Sequence, residues 1–339
     1  MRFDRFITLR MVKPLKLFRD SLRSNQPQTP HHQRTLPILM YHSISDDPEL
    51  GLHPYYRVCT SPRRFAEHMH WLADNGWRGV TLSEGLDWLK TPSPPARSGG
   101  EDQGAVGFDA LSLTPKPVAI TFDDGFGDFN SAAVPVLQRH GFRATMFLPT
   151  AFIGDSHRPF APPRHAPPAS PTPPRRECLT WSEVRQLHGG GFEFGSHTIS
   201  HPVLSGLSWP AIEKELEGSR AELQTQLASP VTAFAHPFAF PQEDQAYVRR
   251  LSELLCEAGY TCAVTTRVGR VRLNDSPFTL QRLPVNELDD HPLFLAKLAG
   301  AYDWIAVPQL LRRKLRQATR TPSSGPPLAP TTPNPATPI

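Results

Sequence analysis

The sequence predicts an α/β fold built around a mostly parallel sheet. Short apolar runs typical of strands alternate along the chain with longer amphipathic runs typical of helices, and this alternation favours a parallel sheet covered by helices. About seven or eight such units are enough to close the sheet into a barrel. Two of the apolar runs end in carboxylate or imidazole side chains, at Asp123 and Asp124 and at His197. Because parallel folds gather the carboxyl ends of their strands on one face, we expect these side chains to meet there.

The predicted elements follow one another without an internal repeat. After the first strand (37–42), Ser61 is a good helix cap, Pro62 suits the first helical position and Gly76 ends the helix. The next elements are strand 79–82, helix 83–90, strand 118–122, helix 128–140, strand 143–149, helix 182–188, strand 192–196, helix 208–227, strand 231–238, helix 242–258, strand 260–266 and strand 281–285. This order favours one domain.

Proline marks where the chain leaves that domain. It accounts for 38 of the 339 residues, roughly double the usual share of about 5%. The prolines concentrate in stretches without hydrophobic periodicity, near 91–117 and 155–177 and at the C-terminal end. We therefore expect a domain at 36–318 with two loop insertions, an N-terminal helix and linker over 1–35, and a disordered Pro/Thr-rich tail over 319–339.

The N-terminal segment interleaves basic and apolar residues. It shows no unbroken apolar core of a signal peptide and no apolar span of transmembrane length. A basic amphipathic helix lying on a membrane and a helix packed on its own domain both fit this pattern. We therefore expect a cytoplasmic or membrane-peripheral protein, with membrane contact through this segment as one option. The oligomeric state is not predicted.

Composition excludes some other classes of partner. The net charge of +4 is mildly basic, but there is no zinc-finger spacing and no basic stripe with interleaved aromatic residues, so we expect no nucleic-acid partner. The four cysteines lack metal-site or redox spacing and are expected to be free thiols.

The most informative stretch is the apolar strand that runs into Asp123, Asp124 and Gly125. Two adjacent carboxylates at the end of an apolar strand are unfavourable unless they share a cation or a proton. Asp and Gly are also ordinary turn residues, so this stretch alone leaves both interpretations open. A second strand-like run ends in His197, with His201 four residues on. Two such histidines and a carboxylate from another strand end fit a metal site with open positions for water and substrate.

Together these stretches resemble a known family. Residues 121–125 (TFDDG) and 197–201 (HTISH) are similar to the first two signature motifs of the polysaccharide deacetylases, the NodB-homology enzymes of carbohydrate esterase family 4. Residues 39–44 (LMYHSI) and 234–238 (FAHPF) resemble the branch that includes poly-N-acetylglucosamine deacetylases. The likeness spans roughly residues 36–290. It implies an irregular (β/α) barrel and a hydrolase that removes N-acetyl groups from an acetylated amino sugar in a polysaccharide or its precursor.

The resemblance also implies roles for the motif residues. Asp124, His197 and His201 would hold a divalent metal, with zinc the best match and nickel, cobalt and manganese left open. Asp123 would be the general base that takes a proton from the attacking water. The metal and a backbone N–H would stabilise the oxyanion.

The sequence departs from many family members at two places. Where those members read Arg-x-Pro-Tyr, this chain has residues 235–238 (AHPF), and no late Asp–His pair is evident. Residues 280–285 (LQRLPV) resemble the last motif of the branch that lacks both features, so Arg282 is expected to orient Asp123. His42 is the first candidate for the general acid and His236 the second, with a packing role as the alternative for each.

Three functions remain open on this evidence. The first is the N-deacetylase. The second is an amidase or imidase for a small non-carbohydrate substrate, because the fold alone does not determine the substrate. The third is a non-catalytic carbohydrate-binding relative, which is weakened by the presence of Asp123, since a structural metal site needs only Asp124 and the two histidines.

Overall fold

The computed structural model describes residues 3–14, 34–49, 57–91, 116–161 and 176–311. Most of the two expected insertions, the expected linker and the expected C-terminal tail therefore lie outside the described residues.

Seven parallel strands close into a barrel. The strands of the described residues are β1 (Thr35–Leu36), β2 (Ile38–Tyr41), β3 (Ser43–Ile44), β4 (Cys59–Thr60), β5 (Trp77–Val80), β6 (Lys116–Phe122), β7 (Thr145–Leu148), β8 (Glu193–Ser196), β9 (Ala233–Ala235), β10 (Cys262–Val268), β11 (Val271–Arg272) and β12 (Leu280–Pro284). The ring runs β2–β12–β10–β9–β8–β7–β6, and a parallel pairing of β6 with β2 closes it. The predicted α/β fold and its (β/α) barrel are confirmed.

The barrel is irregular at β5 and β6. Trp77–Val80 pairs with residues 116–119, in the first part of β6, whereas β7 pairs with Thr121 and Phe122 at its end. β5 is therefore an eighth parallel strand that lies outside the closed ring.

Helices connect most of these strands. They are α1 (Phe3–Ile7), α2 (Pro62–Asp74), α3 (Leu82–Lys90), α4 (Val134–Arg139), α5 (Trp181–Gly189), α6 (Trp209–Leu227), α7 (Gln245–Glu257) and α8 (His291–Leu298). The Ser61 side chain accepts a hydrogen bond from Arg64 N, as its predicted role as a cap requires. Thr81 with Glu84 and Thr180 with Glu183 form capping boxes at α3 and α5.

Several elements differ from the sequence prediction. The predicted helix 128–140 is a π-helical turn (Phe129–Ala133) followed by α4, and Pro135 in the first turn of α4 has no N–H to continue a regular ladder. The predicted strand 231–238 is only three residues long, because the chain turns before Phe238, whose φ is 56°. Helix α8 was not predicted: Leu293, Phe294, Ala296, Lys297 and Leu298 are all buried, so it has no amphipathic pattern.

Residues 3–14 pack on their own domain. Arg5 Nε donates to Asp290 Oδ2 at 2.9 Å, Tyr302 Oη donates to Asp4 at 2.7 Å, and Trp304 Nε1 donates to Thr8 Oγ1 at 3.0 Å. Of the two options for this segment, these contacts favour packing on the domain. No described helix combines the length and the apolar character that crossing a bilayer requires.

An aromatic core supports the strand end that carries the two aspartates. Tyr41 on β2 stacks on Phe122 on β6 with ring centroids 5.4 Å apart, and Phe129 meets the same ring edge-on at 4.8 Å. All three side chains are fully buried. The end of β6 is therefore held rigidly where it reaches the upper face of the barrel, the face at the carboxyl ends of the strands.

Candidate active site

One carboxylate and two imidazoles converge at the carboxyl ends of β6 and β8. The Oδ1 atom of Asp124 lies 3.5 Å from His197 Nε2 and 3.3 Å from His201 Nε2. One donor atom from each of the three residues lies within 4.8 Å of the other two, and all three residues are buried. The structure thus brings together the three residues expected to bind a metal.

The backbone at this site adopts unusual conformations. Asp124, Thr198 and His201 have φ values of 73°, 71° and 53°. This left-handed region costs a non-glycine residue on the order of 1 kcal/mol or more, so surrounding contacts must hold each residue there. Gly125, with a φ of 69°, continues the turn at no such cost.

A hydrogen bond fixes the ring of His197. Its Nδ1 donates to the carbonyl oxygen of Ala235 on β9 at 2.7 Å, which leaves Nε2 facing Asp124. The rings of Phe160 and Phe238 flank the second histidine, with centroids 5.3 and 4.5 Å from that of His201.

The donor set fits a divalent metal ion. Two imidazole nitrogens and one carboxylate are a ligand set that zinc and related first-row ions take in three-ligand sites. Burial acts to raise the pKa of Asp124, but hydrogen bonds from His197 and His201 outweigh it and hold that pKa well below its ordinary value. Asp124 is therefore an ionised carboxylate at neutral pH, as a ligand must be.

Asp123 forms a separate, paired site beside this one. Arg282 Nη1 and Nη2 donate to Asp123 Oδ1 and Oδ2, each at 2.7 Å. Arg282 also donates from Nε to the carbonyl oxygen of Thr265 at 3.1 Å and is almost completely buried. Burial acts to raise the pKa of Asp123, but the Arg282 charge outweighs it and leaves this pKa below its ordinary value.

The two histidines considered as acids occupy different surroundings. His42 Nε2 lies 3.9 Å from Asp123 Oδ2, and its side chain is 19% exposed, so it is accessible from the upper face. His236 is buried beyond the end of β9, where its ring meets Phe240 edge-on with centroids 5.0 Å apart. This geometry favours His42 over His236.

Two contacts of the site were not predicted from the sequence. Phe160 reaches His201 from the second proline-rich stretch, where the sequence has no periodicity that would place it. Glu215 on α6 binds the backbone at Ile199 and Ser200, between the two histidines. The sequence did carry a signal for the Glu215 contact: Gly218 and Ser219 follow it by three and four positions, which places three small or polar residues on one face of the helix.

Comparisons with known proteins match the part of the chain that carries this site. The family model for polysaccharide deacetylase matches residues 111–263, which include Asp123, Asp124, His197 and His201. YxkH of Bacillus subtilis (strain 168), a protein assigned to the polysaccharide deacetylases, is 27% identical over 251 residues, which cover 74% of this chain and 71% of YxkH.

Solved structures show the same fold. The Streptococcus pyogenes deacetylase PplD, solved in complex with acetate, superposes with a TM-score of 0.57 and 22% identity, covering 78% of this chain and 98% of PplD. IcaB from Ammonifex degensii superposes with a TM-score of 0.54 and 21% identity, covering 79% of this chain and 97% of IcaB. Residues 111–263 match the polysaccharide deacetylase model and carry both signature motifs at one site, so the chain is similar to the polysaccharide deacetylases and is a hydrolase that acts on carbon–nitrogen bonds.

Proposed function

We propose that this protein is a metal-dependent hydrolase that removes N-acetyl groups from an acetylated amino sugar in a polysaccharide or its oligosaccharides. One observation carries the proposal: Asp123, paired with Arg282, lies directly beside the set formed by Asp124 and the two histidines. A site that only bound an ion for stability would not need this second, oriented carboxylate. A non-catalytic relative is therefore disfavoured.

Asp124, His197 and His201 would hold the divalent cation, and we propose zinc. An ion in such a site supplies Lewis-acid activation of water and of the acetyl carbonyl.

Asp123 is the proposed general base. Arg282 keeps its pKa below the ordinary value, so the carboxylate is ionised at neutral pH and can accept a proton from the attacking water. Because Arg282 binds both oxygens of Asp123, it fixes the orientation of the carboxylate. After this transfer the proton lies on Oδ1 or Oδ2 of Asp123, and the carboxyl group stays buried beside Arg282.

His42 is the proposed general acid. The carbon–nitrogen bond breaks only when the leaving amine receives a proton, and a His42 imidazolium beside Asp123 can donate it from Nε2. The products are acetate and the free amine, and the proton taken by Asp123 from water balances the proton given by His42. Transfer of the proton from Asp123 to His42 Nε2, which lies 3.9 Å from Asp123 Oδ2, restores the starting state of both groups.

The rim of the site supports a sugar substrate. Phe238 is 41% exposed although it packs against His201. An exposed aromatic ring beside the reaction centre can stack on the apolar face of a sugar, and we propose this role for it. Residues 36–318 are the proposed catalytic domain.

Exposed Phe6 and Met11 support the further proposal that residues 3–14, while packed on this domain, contact an acidic membrane surface.

Product formation from defined substrates tests the function. Zinc-loaded protein should release acetate and free amine from N-acetylglucosamine oligomers, and a chelator should abolish this release until zinc is restored. Ureide and imide substrates run in parallel distinguish an amidase or imidase. Turnover of those compounds without any acetate release from the oligomers would refute the deacetylase.

A further inference from the structure

The loop that joins the two candidate histidine ligands needs support from its neighbours. Residues 197–201 follow β8 and include Thr198 and His201 in the left-handed backbone region, where non-glycine residues are rarely found. Thr150 N and Ala151 N bind the carbonyl oxygens of Thr198 and Ile199, at 3.2 and 2.9 Å. The N–H groups of Ile199 and Ser200 are bound by a side chain of α6.

Glu215 on α6 is the residue that accepts these hydrogen bonds. Its Oε2 accepts hydrogen bonds from Ile199 N at 2.8 Å and Ser200 N at 2.9 Å, and its Oε1 accepts from Ser200 Oγ at 2.7 Å. Hydrogen bonds to an ionised carboxylate are about twice as strong as those between neutral groups. Ile199 and Ser200 directly precede His201, so Glu215 fixes the backbone from which the His201 ring projects.

The rest of this helix face is shaped to the same loop. Gly218 and Ser219 lie three and four residues after Glu215, on the same side of α6. Ser219 Oγ is 2.6 Å from Ser196 Oγ at the end of β8. A Cβ on Gly218 would lie 2.6 Å from Ile199 Cδ1, so the bare backbone there leaves room for the loop.

We propose that Glu215 is a positioning residue for the metal centre: it holds residues 197–201 in the conformation in which His201 Nε2 faces Asp124, and thereby sets the affinity of the site for its divalent ion. This inference rests on the ion-binding part of the proposed function. Its physical basis is preorganisation, because a loop that adopts the binding conformation only part of the time binds more weakly in proportion to that fraction.

Ion binding by Glu215→Gln in the full chain tests the proposal. This change keeps the side-chain shape but removes the charge and replaces one acceptor oxygen with a donor. Affinity for Zn²⁺ and Co²⁺, measured by competition with a chromophoric chelator, should fall about 10- to 100-fold. The visible absorption of bound Co²⁺ should change as well, because His201 is no longer held as a ligand. Exposed Glu217 lies on the same helix, and Glu217→Gln should match the wild type in both measurements.

A second variant covers the case in which Glu215→Gln does not fold. Ser200→Ala removes only the contact to Oε1 and leaves α6 unchanged, so its affinity should fall by less, about several-fold. A folded Glu215→Gln protein with wild-type affinity and Co²⁺ spectrum overturns the proposal. If that variant is unfolded by circular dichroism, wild-type affinity in Ser200→Ala overturns it instead.

These measurements use no substrate, so they separate this inference from the proposed activity. A wild type that binds the ion but never releases acetate refutes the deacetylase and leaves the role of Glu215 to be decided by the variants. A wild type that binds no divalent ion refutes both.

Discussion

At the scale of single residues, the two neighbouring aspartates face different partners. Asp124 faces His197 and His201, whereas Asp123 is bound by Arg282 from the far end of the chain. The fold thus gives two adjacent residues of one type different surroundings, as their proposed roles of ligand and base require.

This separation gives opposite expectations for ion binding and turnover. Asp123→Asn should still bind zinc, because it keeps all three ligands, but kcat should fall by about 10²- to 10⁴-fold without the base. His201→Ala should lose both ion binding and turnover. Calorimetric zinc titration and steady-state acetate release measure the two properties. An Asp123→Asn enzyme with most of its activity would contradict the role of Asp123.

Arg282 should also be needed for stability. Arg282→Met leaves Asp123 buried without its partner, and breaking a buried ion pair in this way costs about 3–5 kcal/mol of the free energy of unfolding. Urea unfolding with chelator present measures this loss free of any effect of bound ion. Exposed Arg272 provides the matched control, and Arg272→Met should change the same quantity by less than about 0.5 kcal/mol. If both variants changed the free energy of unfolding by the same small amount, the pair between Arg282 and Asp123 would contribute little to stability.

At the scale of elements, His68 connects a helix, a strand and the segment before α8. Its Nδ1 accepts from Tyr41 Oη at 3.0 Å, its Nε2 donates to the carbonyl oxygen of Asp289 at 2.8 Å, and its ring stacks on Phe294 with centroids 4.3 Å apart. This neutral, buried imidazole anchors β2, the strand that positions His42.

His68 should make stability depend on pH. Burial lowers the pKa of His68 from 6.5 to about 4, so below pH 6.5 the unfolded chain binds a proton that the folded protein resists. The stabilisation is complete above pH 6.5 and is lost as pH falls towards 4, by about 3 kcal/mol in total. In His68→Gln, which has no titrating group there, the free energy of unfolding should fall less steeply over this range. Identical pH dependence in urea unfolding of both proteins would contradict this.

The sequence predicted elements best where the signal is local. Ser61 caps α2 as expected, since capping depends on residues three positions apart. The sequence prediction missed elements that depend on tertiary contacts. Helix α8 is buried on most sides, and the two-residue strands β1, β3, β4 and β11 are defined only by their pairing. Periodicity carries no information about either case.

At the scale of the whole molecule, the candidate site ties together two distant strand ends. Asp124 follows β6 and the histidines follow β8, so an ion shared between them should stabilise the folded barrel but not the unfolded chain. At about 100 times its dissociation constant, such an ion adds roughly 2.7 kcal/mol to the free energy of unfolding.

Zinc should therefore raise the melting temperature, and a chelator should reverse the rise. For domains of about 150–250 residues each kcal/mol corresponds to about 2–4 °C, and the shift per kcal/mol is smaller in larger chains, so a rise of a few degrees is expected. His201→Ala should abolish it, whereas His70→Ala, at an exposed position on α2, should retain it. An equal rise in both variants would place the stabilising ion elsewhere. Differential scanning calorimetry measures all three proteins.

The sequence by itself determined the parallel α/β fold, most of the strand–helix order and the chemical types of the candidate ligands, because hydrophobic periodicity, helix caps and short motifs are local properties of the chain. The family resemblance supplied Arg282 as the expected partner of Asp123 and His42 as the first candidate acid. Only the tertiary structure decided that Arg282 binds both oxygens of Asp123 and that Glu215 supports the loop between the histidines. Arg282 and Asp123 are 159 residues apart. Closure of the barrel brings them together, and no local pattern records which side chains that closure will place in contact.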